Sequence, residues 1–251
     1  MTSLITKEEF KEKLFHFIRV LGDSSLDELK EAITDPKNIQ GNHPTTPGPA
    51  NLESISSTGE TAFQRGIFNC RHSLLDFKRT YNTPEKVTWL DLELPVTFSG
   101  SQKRRCIDLM GVLDGIPVIC ELKYSENSPS NHPAYAMIEL LMYYYFIRCN
   151  IKKLDQHNVH HKNAKSFDWK VLETNKFPKL IIAANKAYWD YWFQQEDKKM
   201  ILKLVRTLNE ELDTNLHLFK TEDEDFKAQK NNKDKYKPMV TSHYWEIIKQ
   251  N

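Results

Sequence analysis

Along residues 60–80, ETAFQRGIFNCRHSLLDFKRT, the apolar positions are Phe63, Ile67, Cys70, Leu74 and Phe77. Alternating steps of four and three put them on one stripe of an amphipathic helix. Phe10, Leu14, Phe17 and Leu21 repeat in the same manner through residues 7–21, and LDELKEAI behind Ser24 and Ser25 predicts a second short helix. Residues 41–59 are rich in Pro, Gly, Ser and Thr and poor in large apolar groups, which predicts a linker. VTWLDLELPV, residues 87–96, predicts a strand with Leu90, Leu92 and Leu94 on one face and Asp91 and Glu93 on a solvated one. RRCIDLMGVLDGIPVICELKYS, residues 104–125, predicts two further strands. Residues 132–149 predict a largely apolar helix, capped by Asn131 or Ser130, with Pro133 in its first turn. KLIIAA at 179–184 reads as a short buried strand, residues 197–212 as a helix on Ile201, Leu204, Val205, Leu208 and Leu212, and LHLFK at 216–220 as a last strand. KAQKNNKDKYK beyond it is polar and basic.

After the helical arm, the order is helix, three strands, helix, strand, helix, strand. That pattern predicts an α/β fold, a mixed sheet with helices on both faces. The segments are a helical arm over 1–40, a linker over 41–59, an α/β domain over 60–225 and a polar tail over 226–251.

The strands of residues 104–125 carry the chemistry. Asp114-Gly115 between Leu113 and Ile116 is the signature of a two-residue type I′ turn. It sets the register: Leu113 faces Ile116, Met110 faces Ile119, and Asp108 faces Glu121, with Lys123 on the same face. Both faces are apolar, since Met110, Val112, Pro117 and Ile119 oppose Ile107, Leu109, Leu113, Val118, Cys120 and Leu122. A hairpin of this kind is covered on both sides. Two opposed carboxylates repel, and buried charge without a partner is costly. A divalent cation resolves the conflict, because Mg²⁺ takes oxygen ligands, commonly one or two carboxylates with waters and substrate phosphate.

Composition narrows the picture. The chain has 251 residues, 39% hydrophobic and 27% charged, enough for one sizeable α/β domain with appendages. No apolar run approaches the roughly 20 residues of a membrane span, and MTSLITKEEF lacks the apolar core of a signal peptide. Cys70, Cys106, Cys120 and Cys149 form no CxxC pair, which points to reduced thiols in the cytoplasm. The net charge of +1 does not announce a nucleic-acid binder, so any such surface is local.

Asp108, an apolar hairpin and then Glu121-Leu122-Lys123 resemble the signature of the PD-(D/E)XK nuclease superfamily. Ile107 stands where the family name has proline. The resemblance implies a restriction-endonuclease-like mixed sheet flanked by helices over residues 60–184, in the order αβββαβ. It further implies metal-dependent hydrolysis of phosphodiester bonds in DNA, with RNA left open, in restriction, phage defence or repair. Asp108 and Glu121 then hold Mg²⁺, with Mn²⁺ as a substitute. Lys123 orients or deprotonates the attacking water, and a depressed pKa would suit the second role. Glu60 is a candidate further metal ligand from the first helix, with Gln64 on the same turn. Glu139 and Tyr143 take the places of Gln-x-x-x-Tyr in the RecB-like branch. A homodimer is consistent with the family's habits.

Each residue has a plainer reading. Glu60 suits a helix dipole, and Glu139 with Tyr143 suits a polar pair at a helix interface. Glu93 suits a half-solvated strand. His157, His160 and His161 sit in a polar loop. Lys103, Arg104 and Arg105 are candidate phosphate contacts or ordinary surface charge. Tyr188, Trp189, Tyr191 and Trp192 suit base stacking or core packing. For the whole chain, the alternatives to a nuclease are a non-catalytic nucleic-acid- or protein-binding module, or an α/β protein whose hairpin charges form a buried salt-bridge network.

Overall fold

The computed structural model describes residues 52–77, 84–96, 105–124, 132–157, 178–195, 198–221, 226–231, 233–240 and 244–249. The helical arm and most of the linker lie outside these residues.

The first helix, α1, covers Glu60–Cys70 and stops well short of the helix expected over 60–80. Arg71 takes a left-handed conformation (φ 71°) and donates its N–H to the Phe68 carbonyl, which closes the helix. The chain then forms strand β1, His72–Asp76, paired antiparallel with β2, Glu85–Val96. Leu74 and Phe77 satisfy a helical stripe and a strand equally well. Tertiary pairing decides between them, and the expected helix is corrected accordingly.

Strands β3 (Arg105–Leu113) and β4 (Ile116–Lys123) form the expected hairpin. Helix α2 runs from Pro133 to His157. His132 serves as its cap: its Nδ1 accepts the Ala134 N–H at 3.1 Å, and its carbonyl accepts from Tyr135 and Ala136. Asn131 and Ser130, the expected caps, lie outside the described residues. Strand β5 (Lys179–Asn185) leads into helix α3 (Lys186–Gln195), then helix α4 (Lys198–Leu212) and strand β6 (Leu216–Thr221).

The segment expected to be a polar tail is built into the fold. It forms β7 (Phe226–Lys230), β8 (Tyr236–Val240) and β9 (Tyr244–Ile247). The pair β7–β8 is a separate two-stranded sheet. Strand β9 lies between β1, to which it is parallel, and β6, to which it is antiparallel. It therefore closes β1–β2–β3–β4–β5–β6–β9 into a mixed barrel. This overturns the open, restriction-endonuclease-like sheet with helices on both faces. Closure abolishes the sheet edges. The seam is held from within by Trp245, buried against Trp89 and Phe219, and from without by an ion pair between Lys220 and Glu246 at 2.8 Å.

Two apolar clusters follow from the alternation of side chains along the strands. All seven barrel strands contribute to the first, including Leu75, Trp89, Leu109, Cys120, Ile181, Phe219 and Trp245, so it fills the interior. Phe63, Ile67 and Phe68 of α1 join it. The second lies outside the wall, where Met110, Ile119, Leu180 and Ile182 pack under α2, α3 and α4. Glu121 and Lys123 alternate with Ile119 and therefore face this outer cluster. Among the described residues, no helix is long and apolar enough to cross a membrane.

Gly111 sits opposite Trp89 in the β2–β3 ladder. A Cβ there would lie 2.6 Å from the Thr88 carbonyl oxygen and 2.9 Å from the Trp89 ring. The first obstacle is backbone, so the sheet must move. Gly111→Ala is expected to lower stability by about 2 kcal/mol, read as an earlier urea midpoint at unchanged m value. A midpoint equal to wild type would show that the sheet relaxes freely at this point.

Candidate active site

Asp114 (φ 49°) and Gly115 (φ 81°) are both left-handed, as a type I′ turn requires. Leu113 pairs with Ile116 and Met110 with Ile119, in the register the turn predicts. The ladder runs as far as Leu109 opposite Cys120. Beyond it, the Asp108 side chain takes over from backbone pairing. Its Oδ2 accepts the Leu122 N–H at 2.8 Å. From α1, the Gln64 amide donates at 3.0 Å both to Asp108 Oδ1 and to the Asp108 carbonyl. Lys123 Nζ donates to Glu121 Oε1 at 2.5 Å, with both residues buried. In the parallel ladder with β5, Lys123 sits beside Ala184, one residue before Asn185. Asn185 Oδ1 accepts the Tyr188 N–H at 3.2 Å and starts α3. The charges thus lie at the carboxyl ends of adjacent parallel strands, a common position for ligand sites in α/β sheets.

Further acids reach this point. Glu139 of α2 and Glu60 of α1 both act on Asp108 and Lys123. Tyr143 donates its hydroxyl to Glu139 Oε1 at 3.0 Å. Burial raises Asp108 to about 7; Lys123 opposes the rise, and Glu60 and Glu139 add to it. Burial, followed by the neighbouring Asp108, also pushes Glu121 well above the usual carboxylate range. For Lys123, burial is the largest single influence and acts downward. Glu121, Glu60, Asp108 and Glu139 together outweigh it and hold the amine well above its ordinary value. Lys123 is therefore an ammonium at neutral pH, which corrects the expectation of a depressed pKa.

The residues singled out in the sequence separate clearly. Asp108, Glu121 and Lys123 come together with Gln64, Glu60, Glu139 and Tyr143. Lys103 and Arg104 lie outside the described residues, and Arg105 opens β3 opposite Val96. Glu93 turns to Arg65 at 3.5 Å. Asp91 is buried, not solvated, and its Oδ1 accepts the Leu92 N–H. A register shift between Trp89 and Asp91, and a left-handed Glu93 (φ 50°), break the alternation that put both acids on a wet face. His157 closes α2, while His160 and His161 lie outside the described residues.

Tyr188 is a neighbour that the pattern did not single out as part of the site. Burial raises its phenol, and the charges of Lys123, Glu60 and Glu121 act on it. The available signal was Asn185, a capping residue at the end of a buried strand. Trp192 packs edge-on against His132 at 4.7 Å and lies against Tyr188.

The donor set suits a hard cation. Asp108 and Glu121 are oxygen donors held above the usual carboxylate range by burial and by neighbouring acids, even with Lys123 beside them. Glu121 Oε2 accepts no hydrogen bond among the described residues. Mg²⁺ needs only one or two carboxylates when waters and a substrate phosphate complete its shell. Among the described residues, no three His, Cys, Asp or Glu side chains form an all-protein cage, so such an ion would depend on that outer water and phosphate.

No family model, curated protein or solved structure matches the chain.

Gln64 gives Asp108 two of its hydrogen bonds. Gln64→Leu leaves a partly buried carbonyl and a carboxylate oxygen without their donor, at an expected loss of about 2 kcal/mol. Chemical denaturation in EDTA checks this; a loss below about 0.5 kcal/mol would mean that water replaces the amide.

Proposed function

We propose that this chain is a metal-dependent phosphodiesterase acting on DNA, with Asp108, Glu121 and Lys123 at its centre. The observation that carries the reading is the meeting of two carboxylates and an ammonium at one end of the β3–β4 hairpin, with Glu60 and Glu139 adding negative charge. Their spacing in the chain resembles the D…E-x-K motif of PD-(D/E)XK nucleases. The reading rests on that local motif and its chemistry, not on the architecture around it.

Asp108 and Glu121 would hold the cation, with Asp108 oriented by Gln64 and the Leu122 N–H. A divalent ion bound there polarises a phosphoryl oxygen and lowers the pKa of its water. Lys123, beside the Glu121 carboxylate, would hold the attacking water and stabilise charge growing on the phosphoryl oxygens. Glu139 holds Tyr143 and adds to the field that keeps Lys123 charged.

The test offers purified protein supercoiled plasmid, linear duplex, single-stranded DNA and RNA with Mg²⁺, Mn²⁺ or EDTA. Metal-dependent cleavage of DNA supports the reading, and cleavage of RNA alone reassigns the substrate. Absence of cleavage together with absence of any metal effect on melting would sink it.

One observation favours a second reading. The 2.5 Å contact between Lys123 and Glu121 already partners the ammonium, as a structural ion pair would. In that case Lys123→Met changes stability and nothing else.

A further inference from the structure

The β7–β8 hairpin is strongly basic. Residues 226–240 carry Lys227, Lys230, Lys233, Lys235 and Lys237 against the single acid Asp234, in a chain of net charge +1. The ladder pairs Lys227 with Met239 and Gln229 with Lys237, so these four share a face. Lys227, Gln229, Lys237 and Met239 are exposed, and Lys233 is exposed at the turn. Pro238 and Val240 of β8 point the other way and are buried. Lys230 pairs with Asp234 and Lys235 reaches Glu53. Lys227, Lys233 and Lys237 have no ion pair among the described residues.

The hairpin's position gives this charge a direction. Its C-terminal end is tied to the end of α1, where Asn69 donates to the Pro238 carbonyl at 2.8 Å and Cys70 to that of Val240. Nearer its turn, Tyr236 bridges Ser54, and Asn231 donates to the Glu53 side chain at 2.7 Å. Arg65, earlier in α1, donates to the Glu53 carbonyl at 2.7 Å. From Val240 back to Asn231, the hairpin therefore runs along α1 toward the end that carries Gln64 and Glu60. The turn with Lys233 lies toward the Gln64 and Glu60 end of the helix, while Lys227, paired with Met239, lies toward its Cys70 end. Acids alone would repel a polyphosphate, and a basic flank supplies the complementary field.

We propose that the β7–β8 hairpin grips the sugar–phosphate backbone of duplex DNA through Lys227, Lys233 and Lys237 and holds it alongside the Asp108 site. The choice of DNA rests on the function proposed above; the surface itself rests on charge and position. Contacts of this kind carry no sequence preference and weaken with salt, by a slope of about 0.9 per neutralised phosphate in log K against log salt.

The test is fluorescence anisotropy of a labelled duplex in EDTA across a salt series, using the full chain, Asp108→Asn, and Lys227→Gln/Lys233→Gln/Lys237→Gln combined. All three lysines are exposed, so the triple variant is expected to melt with wild type. The expected result is a fall in affinity of at least about tenfold and a slope shallower by about 2 to 3 in the triple variant, with binding retained in Asp108→Asn. Equal affinity and slope in the triple variant would overturn the proposal, as would absence of duplex binding by wild type. Wild-type binding lost in the triple variant, but without cleavage under any metal, supports the hairpin while rejecting the proposed chemistry.

Discussion

Asp108→Asn is expected to reduce Mg²⁺-dependent DNA cleavage by about a thousandfold or more, because it removes a ligand charge where several kcal/mol of transition-state stabilisation is supplied. The change is nearly isosteric. The amide oxygen it introduces can still accept the Leu122 N–H, while a turn of the Gln64 amide to meet the new N–H donor gives up its bond to the residue's backbone carbonyl. The fold should therefore persist. In the metal-free protein, the enclosed carboxylate is disfavoured by its surroundings, as its rise to about 7 records. The neutral amide relieves that cost, so above pH 7 Asp108→Asn is expected to melt no lower than wild type. Loss of activity without loss of stability separates a catalytic residue from a structural one. Lys123→Met gives the companion result. It should lose cleavage to a similar degree, but it leaves Glu121 without its cation and is expected to lose stability as well. Full activity in either variant would remove the site from the mechanism.

The second large effect is thermal. Mn²⁺ or Mg²⁺ at about 100 times its Kd is expected to stabilise the protein by about 2.7 kcal/mol. For a chain of this size that corresponds to a rise in Tm of about 5 to 10 °C. The rise should depend on pH with a definite sign. In the unfolded chain Asp108 releases its proton near 3.8, and in the folded metal-free protein near 7. Between those values the folded state holds a proton that the unfolded state has lost. The group's contribution therefore falls as pH rises from about 4 to about 7 and changes no further above that. A cation needs the ionised form, present at about one part in ten at pH 6 and one in a hundred at pH 5. The metal-induced rise should be largest at pH 8, reduced at pH 6 and nearly absent at pH 5, because Glu121, also held well above the usual carboxylate range, must lose its proton too. Buried His132 and His217, both lowered to about 4 by burial, titrate in an overlapping range. They tilt the curve the opposite way, since the unfolded histidines bind protons that the folded ones refuse. Comparing each pH with and without metal cancels them. An equal rise at pH 5 and pH 8 would mean that the ion binds away from Asp108.

Parts of this protein were legible in the amino-acid order. The Asp114-Gly115 turn carries its own conformational preference, and a period of two then fixes which side chains face one another. That local logic was enough to bring Asp108, Glu121 and Lys123 to one end of a hairpin. The apolar runs of β4 and β5 likewise marked strands covered on both faces. Helical spacing placed Gln64 four residues after Glu60, and Tyr143 four residues after Glu139, so the supporting groups were visible as pairs.

What the order of residues could not convey depends on partners distant in the chain. Helix α1 stops at Arg71 because β2 and β9 offer ladders to the next five residues, and those partners lie far along the sequence. Strand β9 is four residues long, and by itself it has no period to read. Only contact with β1 and β6 makes it a strand and turns an open sheet into a barrel. The charge state of Lys123 is of the same kind. Burial pushes its pKa down, and acids from α1, α2, β3 and β4 push it up. The amino-acid order by itself determined the hairpin and the identity of its charges, because turn geometry and side-chain alternation act between neighbours. Barrel closure, the end of α1 and the protonation of the site were decided by tertiary structure, because each sums weak contributions from segments that meet only when the chain is folded.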